Sequence, residues 1–416
     1  MPAATPFRVP GFRWLWLSSL CTSAAYTVEV LSHGWLVLEL TNSPFWVGVA
    51  VAVRGVSQTL CGIPAGLAAD RFDRRTILVA TQTTAATGGL VIAGLVYAHR
   101  IAVWQVFVYL VLVGCTTAMN RPAVNGLVYD VVGEALLLNA SAYQFMAGSV
   151  VRVVGALAGG VIIDRLGIAD NYILIAVVYA GAAAAVGVLR RPAAARPPHE
   201  PFSRAVADGF RYVFRTARLR RLLLLSLSIE GFGFSTNSML PVMARDVLRV
   251  GGIGLGNLVA MSGVGQFLAT MLVARRIELR HLGTVVVGAS IGFGAFIVLF
   301  ALSPWFALSL VLIAVVGFMG TAYDTTMSTS FQVGVADAMR GRVLGLYSAT
   351  FGLSSIGGLC IGAAATVLGT PIALALSGAA VVASGVGLVR RRHTLGRPED
   401  ASGSGVVNGQ IAEADR

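Results

Sequence analysis

Six charged side chains lie inside long apolar runs of this 416-residue chain: Glu29, Arg54, Arg121, Arg152, Glu230 and Asp324. A charge at the centre of a membrane-crossing helix costs about 2.5–3.5 kcal/mol on the insertion scale, so each marks a functional position by default. Glu29, Arg54, Arg152 and Glu230 fall near mid-depth of their runs, and Arg121 and Asp324 nearer one end. A carboxylate within reach of an arginine can be paired or protonated, because desolvation favours the neutral acid and the guanidinium favours the anion. That is the chemistry of proton coupling. Glu29, with Arg54 and Arg152 at similar depth, is its first candidate, either for coupling or for substrate contact; a static buried ion pair is the alternative. Glu230, Asp324 and Arg121 carry the same two readings.

Polar and aromatic residues in the same runs could line a cavity between helices: Tyr26, Gln144, Phe234, Asn237, Gln266 and Tyr323. Such a mixed lining suits an amphipathic small molecule, although each residue could equally be ordinary packing. His33 titrates near neutral pH when unperturbed and lies toward the opposite end of its run from Arg13. The motifs of soluble catalysts are missing: the chain has no Walker loop, no GxGxxG after a strand, no HExxH and no GxSxG. An enzyme is not expected, nor a cofactor or metal. Cys21, Cys61, Cys115 and Cys360 sit in apolar runs without CxxC spacing and read as small packing residues, neither disulfide-bonded nor metal-bound.

The elements that must position these residues are membrane-length. The chain is 56% hydrophobic and 12% charged, with a mean hydropathy of +0.78; soluble domains are roughly 45–50% apolar and about 25% charged. The runs are continuous rather than alternating, which points to helices and away from a membrane β-barrel. Crossing takes about 20 apolar residues. Spans are predicted at 14–38, 45–68, 76–98, 102–126, 139–163, 171–189, 221–243, 255–274, 283–302, 305–331, 341–368 and 371–390. Arg8 and Arg13 precede the first span without a cleavage pattern, so it is expected to be retained rather than removed as a signal peptide.

Between the sixth and seventh spans the chain turns basic and proline-rich, with Pro192, Pro197, Pro198 and Pro201. Phe202, Val206, Phe210, Val213 and Phe214 then recur near helical spacing, predicting an amphipathic helix along the membrane surface, or else a loose linker. After Arg392 the composition predicts a disordered tail. The organisation expected is therefore a bundle of six helices over 1–189, a basic linker over 190–220, a second bundle over 221–390 and a tail over 391–416. All 31 basic residues are arginine, a compositional bias. The net charge of +12 could suggest nucleic acid, but the arginines cluster at helix ends on one side, which the membrane explains. Only Arg100, Arg165, Arg245 and Arg249 fall in loops of the other side, placing both termini in the cytoplasm. Six spans, a long connection and six more form a repeat whose halves usually enclose a mid-depth site.

The stretch Gly66-Leu67-Ala68-Ala69-Asp70-Arg71-Phe72-Asp73-Arg74-Arg75 packs five charges into a turn between two spans. It resembles the loop between helices 2 and 3 of the major facilitator superfamily, G-x-L-A-D-R-x-G-R-[RK], departing from it at Asp73. Several longer stretches extend the resemblance, in order, to the enterobactin-exporter and macrolide-efflux branch. They are Phe12–Trp16, Trp35–Pro44, Leu138–Ala140, Pro241–Leu248 and Arg340–Tyr347. The resemblance implies a monomeric all-α membrane protein of twelve helices in two pseudo-symmetric six-helix bundles. It further implies alternating access, with export of a small molecule driven by inward proton flow in a bacterial inner membrane. Uptake by proton symport or facilitation on the same fold is the alternative. By the same resemblance, Asp70, Arg71, Arg74 and Arg75 would form a gating latch with Arg340 and Arg342. Arg121 would match a helix-4 arginine associated with proton coupling. Gly155, Gly159 and Gly160 would match a helix-5 antiporter motif, with Ala156 in its proline position.

Overall fold

In lipid every backbone N–H and C=O must be satisfied within the chain, so continuous apolar runs close into helices. The computed structural model describes residues 6–189, 210–276, 281–333, 335 and 337–391. Among these are twelve membrane-crossing helical rods. The first six are α1 (Phe12–Thr41), α2 (Pro44–Arg71), α3 (Arg74–Tyr97), α4 (Val103–Val132), α5 (Glu134–Arg165) and α6 (Ile168–Gly187). Rod α7 starts as a helix over Ala217–Ser228 and continues through π and 3-10 turns to Val247. Then come α8 (Gly251–Arg276), α9 (Leu282–Ala301) and α10 (Phe306–Gln332). Rod α11 has two segments, Asp337–Thr350 and Leu353–Leu368, and α12 spans Thr370–Val386.

Nine of these helices are long and apolar enough to cross a membrane by length and composition alone, among the described residues. The other three are informative. Rod α1 carries Ser, Thr, Glu29 and His33, α7 is interrupted, and α12 has 17 residues. Two of the functional candidates, Glu29 and Glu230, sit in the first two.

Local chemistry sets the ends. Asn42 adopts a left-handed φ of 49° and bonds back to Leu38, and Pro44 opens α2 two residues later. Asp73 N-caps α3: its carboxylate accepts from the Arg75 N–H (3.4 Å) and the Thr76 hydroxyl (2.9 Å). The departure from the family's glycine is thus a cap. Gly133, at φ 71°, is the single residue joining α4 to α5. Both helices run past their predicted limits of 126 and 139, and Pro122 lies inside α4 without ending it.

Within the first bundle α3 packs on α6 and α4, α2 on α4, and α1 on α5 and α6; within the second, α8 packs on α10 and α9 on α10 and α12. The bundles meet along two seams, α5 with α8 and α2 with α11, and through α1 with α7. The seams depend on bare backbone. A Cβ on Gly160 would stand 2.5 Å from the Gly252 carbonyl, and one on Gly48 would stand 2.6 Å from the Gly358 carbonyl. Small residues at such crossings let helix backbones touch. Both contacts lie toward the arginine-poor face.

Two expectations need correction or limitation here. Cys61 of α2 and Cys115 of α4 are joined as a disulfide, with Cα atoms 5.2 Å apart. Spacing in sequence could not show this, because the pair is 54 residues apart and is brought together by packing. The amphipathic helix after the linker is described only over 210–215, where Phe210 stacks on Phe214 (4.3 Å). Its first part, the linker before it and the tail lie outside the described residues.

Candidate substrate and proton site

The polar centre of the first bundle is built from four helices. Glu29 of α1 is wholly buried, and its Oε2 accepts a hydrogen bond from the Tyr179 hydroxyl of α6 (2.8 Å). Arg54 of α2 places Nη2 4.0 Å from the same oxygen, an ion pair without a hydrogen bond. The Tyr109 hydroxyl of α4 is a near neighbour of the carboxylate. Glu29 Oε1 and Arg54 Nε and Nη2 have no hydrogen-bond partner. Buried polar atoms are nearly always satisfied, and exceptions of this kind mark strain or function. A carboxylate held loosely, with one oxygen open, is suited to taking up and releasing a proton.

Arg54, itself buried, also contacts a ring. Its guanidinium carbon lies 4.6 Å from the centroid of the Tyr26 ring, a cation–π contact. Tyr26 is 40% exposed, so the pair touches open space through it. Arg152 of α5, an exposed residue, has Tyr26 as its electrostatic neighbour and forms no ion pair among the described residues. The expected partnership of Glu29 therefore holds for Arg54 and not for Arg152. His33, one turn beyond Glu29, is buried with Nδ1 unpartnered.

The second bundle brings two acids near one another. Glu230 is 3% exposed and lies in the π turn Ile229–Gly233 of α7, a distortion frequent at functional sites. Gly231 and Gly233 loosen the helix there, and the Ser235 and Thr236 hydroxyls take the Gly231 and Gly233 carbonyls (2.7 and 2.6 Å). Asp324 of α10 accepts a hydrogen bond from the Tyr347 hydroxyl of α11, and Glu230 lies within its electrostatic reach. Neither acid forms an ion pair among the described residues.

Of the predicted cavity lining, Tyr26 and Asn237 are exposed, and Gln144 and Gln266 are half-buried. Phe234 packs on Phe293 of α9 (5.0 Å). Tyr323 is fully buried and does not line open space; the polar face assigned to it belongs to the packed interior. Arg121 is exposed on α4, immediately before Pro122.

The latch residues divide. Arg74 pairs with Asp130 of α4 at 2.8 Å, and Arg75 donates to the Val186 carbonyl (3.3 Å) and to Gly187. Both are thereby tied within the first bundle, fixing the start of α3 to α4 and to the C-terminal end of α6, where cations are favoured. The Asp70 and Arg71 side chains lie outside the described residues. Arg340 and Arg342 stand in the first segment of α11, with Arg342 Nη1 3.7 Å from the Met339 sulfur. Of the helix-5 glycines, a Cβ on Gly155 or Gly159 would meet α1, at the Ala24 carbonyl and Val28 respectively (3.4 Å each). Gly160 alone meets α8.

Sequence reasoning missed the tyrosines around Glu29. Tyr172 and Tyr179 are seven residues apart on α6, two turns on one face, and Tyr109 packs edge-on against Tyr172 (5.9 Å). That spacing was the available signal. It also missed Asp130 and Asp164, which lie near helix ends where acids are unremarkable.

Two six-helix bundles around mid-depth charged clusters define a multi-pass membrane transporter, not an enzyme. The model of one family, transmembrane secretion effector, matches residues 1–413, and the chain belongs to that branch of the major facilitator superfamily. It is 23% identical over 391 residues to the enterobactin exporter EntS of Shigella flexneri, covering 91% of this chain and 89% of that one. EntS of Escherichia coli matches to the same extent. Among solved structures, the nucleoside transporter NupG superposes with a TM-score of 0.74 at 12% identity, over 92% of this chain and 98% of that one. A bacterial homologue of the human lysosomal transporter Spinster, inward-facing and unoccupied, gives 0.69 at 16% identity over 93% and 96%. These superpositions show the fold.

Proposed function

We propose that the protein is a proton-coupled antiporter that exports amphipathic small molecules by alternating access. The observation that carries this reading is the Glu29–Arg54–Tyr26 chain, which runs from a fully buried carboxylate to an exposed ring in two contacts. Protonation of Glu29 removes the counter-charge of Arg54 and frees its guanidinium for the Tyr26 side. Deprotonation draws it back. A substrate seated between Arg152 and the Tyr26 ring displaces the guanidinium back toward Glu29 and favours the ionised acid, so substrate and proton oppose one another, which is the requirement for exchange. Glu230 and Asp324 offer a second place for a proton or a cationic group in the other bundle. The export direction is supported by the likeness to exporters over nine-tenths of the chain.

The bundles span 1–189 and 221–390, joined by the basic linker 190–220 and followed by the tail 391–416. The arginine-rich face is cytoplasmic, with both termini inside, in a bacterial inner membrane and as a monomer. The close seams toward the arginine-poor face then describe an inward-facing state, with Asp70, Arg71, Arg340 and Arg342 poised to latch the cytoplasmic side in the other. The test is transport in inside-out vesicles with an acidic lumen, using macrolides, tetracyclines and catecholate siderophores as probes. Proton release from the lumen on adding a probe, with uptake of that probe, supports antiport. Probe movement down its own gradient without proton flow would replace it with facilitation, and co-movement of proton and probe with symport.

A further inference from the structure

At the arginine-poor face, a carboxylate of one bundle completes a helix of the other. Asp164, in the last turn of α5, accepts hydrogen bonds from the backbone N–H groups of Gly252 at Oδ1 (2.6 Å) and Ile253 at Oδ2 (2.8 Å). These belong to the first turn of α8, whose N–H groups have no partner within their own helix and whose dipole end is positive. The sequence leaves room for the contact. Gly251 has φ 66°, and a Cβ there would stand 2.9 Å from Asp164 Oδ2; one on Gly252 would stand 2.8 Å from Oδ1. Along the same seam, Gly160 and Gly256 bring α5 and α8 to backbone contact.

A reciprocal contact lies nearby in the chain's other crossing. Arg245, at the end of α7, donates from Nη1 to the Leu38 carbonyl in the last turn of α1 (2.8 Å), the negative end of that helix. An acid of the first bundle meets a helix start of the second, and a base of the second meets a helix end of the first.

We propose that Asp164 is a positioning residue of the transport cycle, bolting α5 to the start of α8 and holding the arginine-poor face shut. The inference rests on the alternating-access reading, because a bolt matters only if that face opens. An ordinary cap lies within one rigid body and is made in every state. Both Asp164 bonds cross between bundles, so they exist only while the face is closed, and a contact made in one state alone shifts the balance between states. A helix cap with its dipole interaction shifts such a balance by roughly threefold to thirtyfold.

The test is electron–electron distance measurement on the full chain in lipid nanodiscs without substrate. Spin labels at Arg100→Cys and Leu302→Cys report on the arginine-poor face of each bundle, with Cys21 and Cys360 changed to serine. Asp164→Ala is expected to move weight from the short to the long distance by three- to thirtyfold, and Asp164→Asn, which keeps one acceptor, by less. Gly252→Val keeps the carboxylate but fills its path, and is expected to shift weight the same way. Should Asp164→Ala fail to insert, the other two variants carry the test. An unchanged ratio in all inserted variants, even with lowered thermal stability, would overturn the inference by leaving Asp164 a merely structural cap. A single distance in the wild type with or without transported substrate would instead overturn alternating access itself.

Discussion

Replacing Arg54 by leucine leaves the Glu29 carboxylate, fully buried, without its ion-pair partner. The two charges are 4.0 Å apart, a separation worth about 4 kcal/mol at an effective dielectric of about 20. No hydrogen bond accompanies the pair, so this electrostatic figure is the whole interaction and an upper bound, because the lone carboxylate can take up a proton. Unfolding entropy of about 2.1 cal/mol/K per residue makes 1 kcal/mol worth roughly 1 °C in a chain of this length. Thermal unfolding in detergent at pH 8 should therefore fall by about 2–4 °C in Arg54→Leu. Glu29→Gln alone should cost less, since Arg54 keeps its contact with the Tyr26 ring. The double variant should recover most of the Arg54→Leu loss, giving a coupling of about 2–4 kcal/mol. At acidic pH a proton neutralises Glu29, and the Arg54→Leu penalty should shrink toward that of the double variant. Additivity within about 0.5 kcal/mol, the behaviour of independent sites, would refute the claim that the two residues form a working pair.

Three further outcomes follow from the geometry. Asp130→Asn should loosen the arginine-rich end of α3 by about 1–2 kcal/mol, the loss of a part-buried charge-assisted contact at 2.8 Å; Arg74→Ala should match it, and the two should not add in thermal unfolding. Gly256→Val should part α5 from α8, because its Cβ would stand 2.5 Å from the Ala156 carbonyl; accessibility of a cysteine on the arginine-poor face to a membrane-impermeant maleimide should rise. Only Cys21 and Cys360 should react with maleimide in the oxidised, denatured protein, with Cys61 and Cys115 joining after reduction.

Much of the fold was legible because the membrane imposes it. Apolar length, the position of breaks and the side preference of arginine locate twelve rods, and charges inside apolar runs announce themselves by their cost. What the sequence could not supply was azimuth. Glu29 looked able to face a cavity or a partner, and only packing shows that it turns inward to Tyr179 while Arg54 bridges to Tyr26. Tyr323 looked like cavity lining, because a polar tip on an apolar run does not say which side it faces. The pairing of Cys61 with Cys115 and the grip of Arg74 on Asp130 depend on which rods are neighbours, 54 and 56 residues away in the chain. The irregularity of α7 was half visible in its glycines and Pro241, though its π turn at Glu230 was not.

The central claim is that one buried carboxylate couples proton and substrate. Its most direct test is the proton signal in inside-out vesicles with an acidic lumen, comparing wild type with Glu29→Gln at equal insertion. A transported compound should release luminal protons through the wild type, whereas Glu29→Gln should still bind it but move no protons. Undiminished proton-driven export by Glu29→Gln would contradict it.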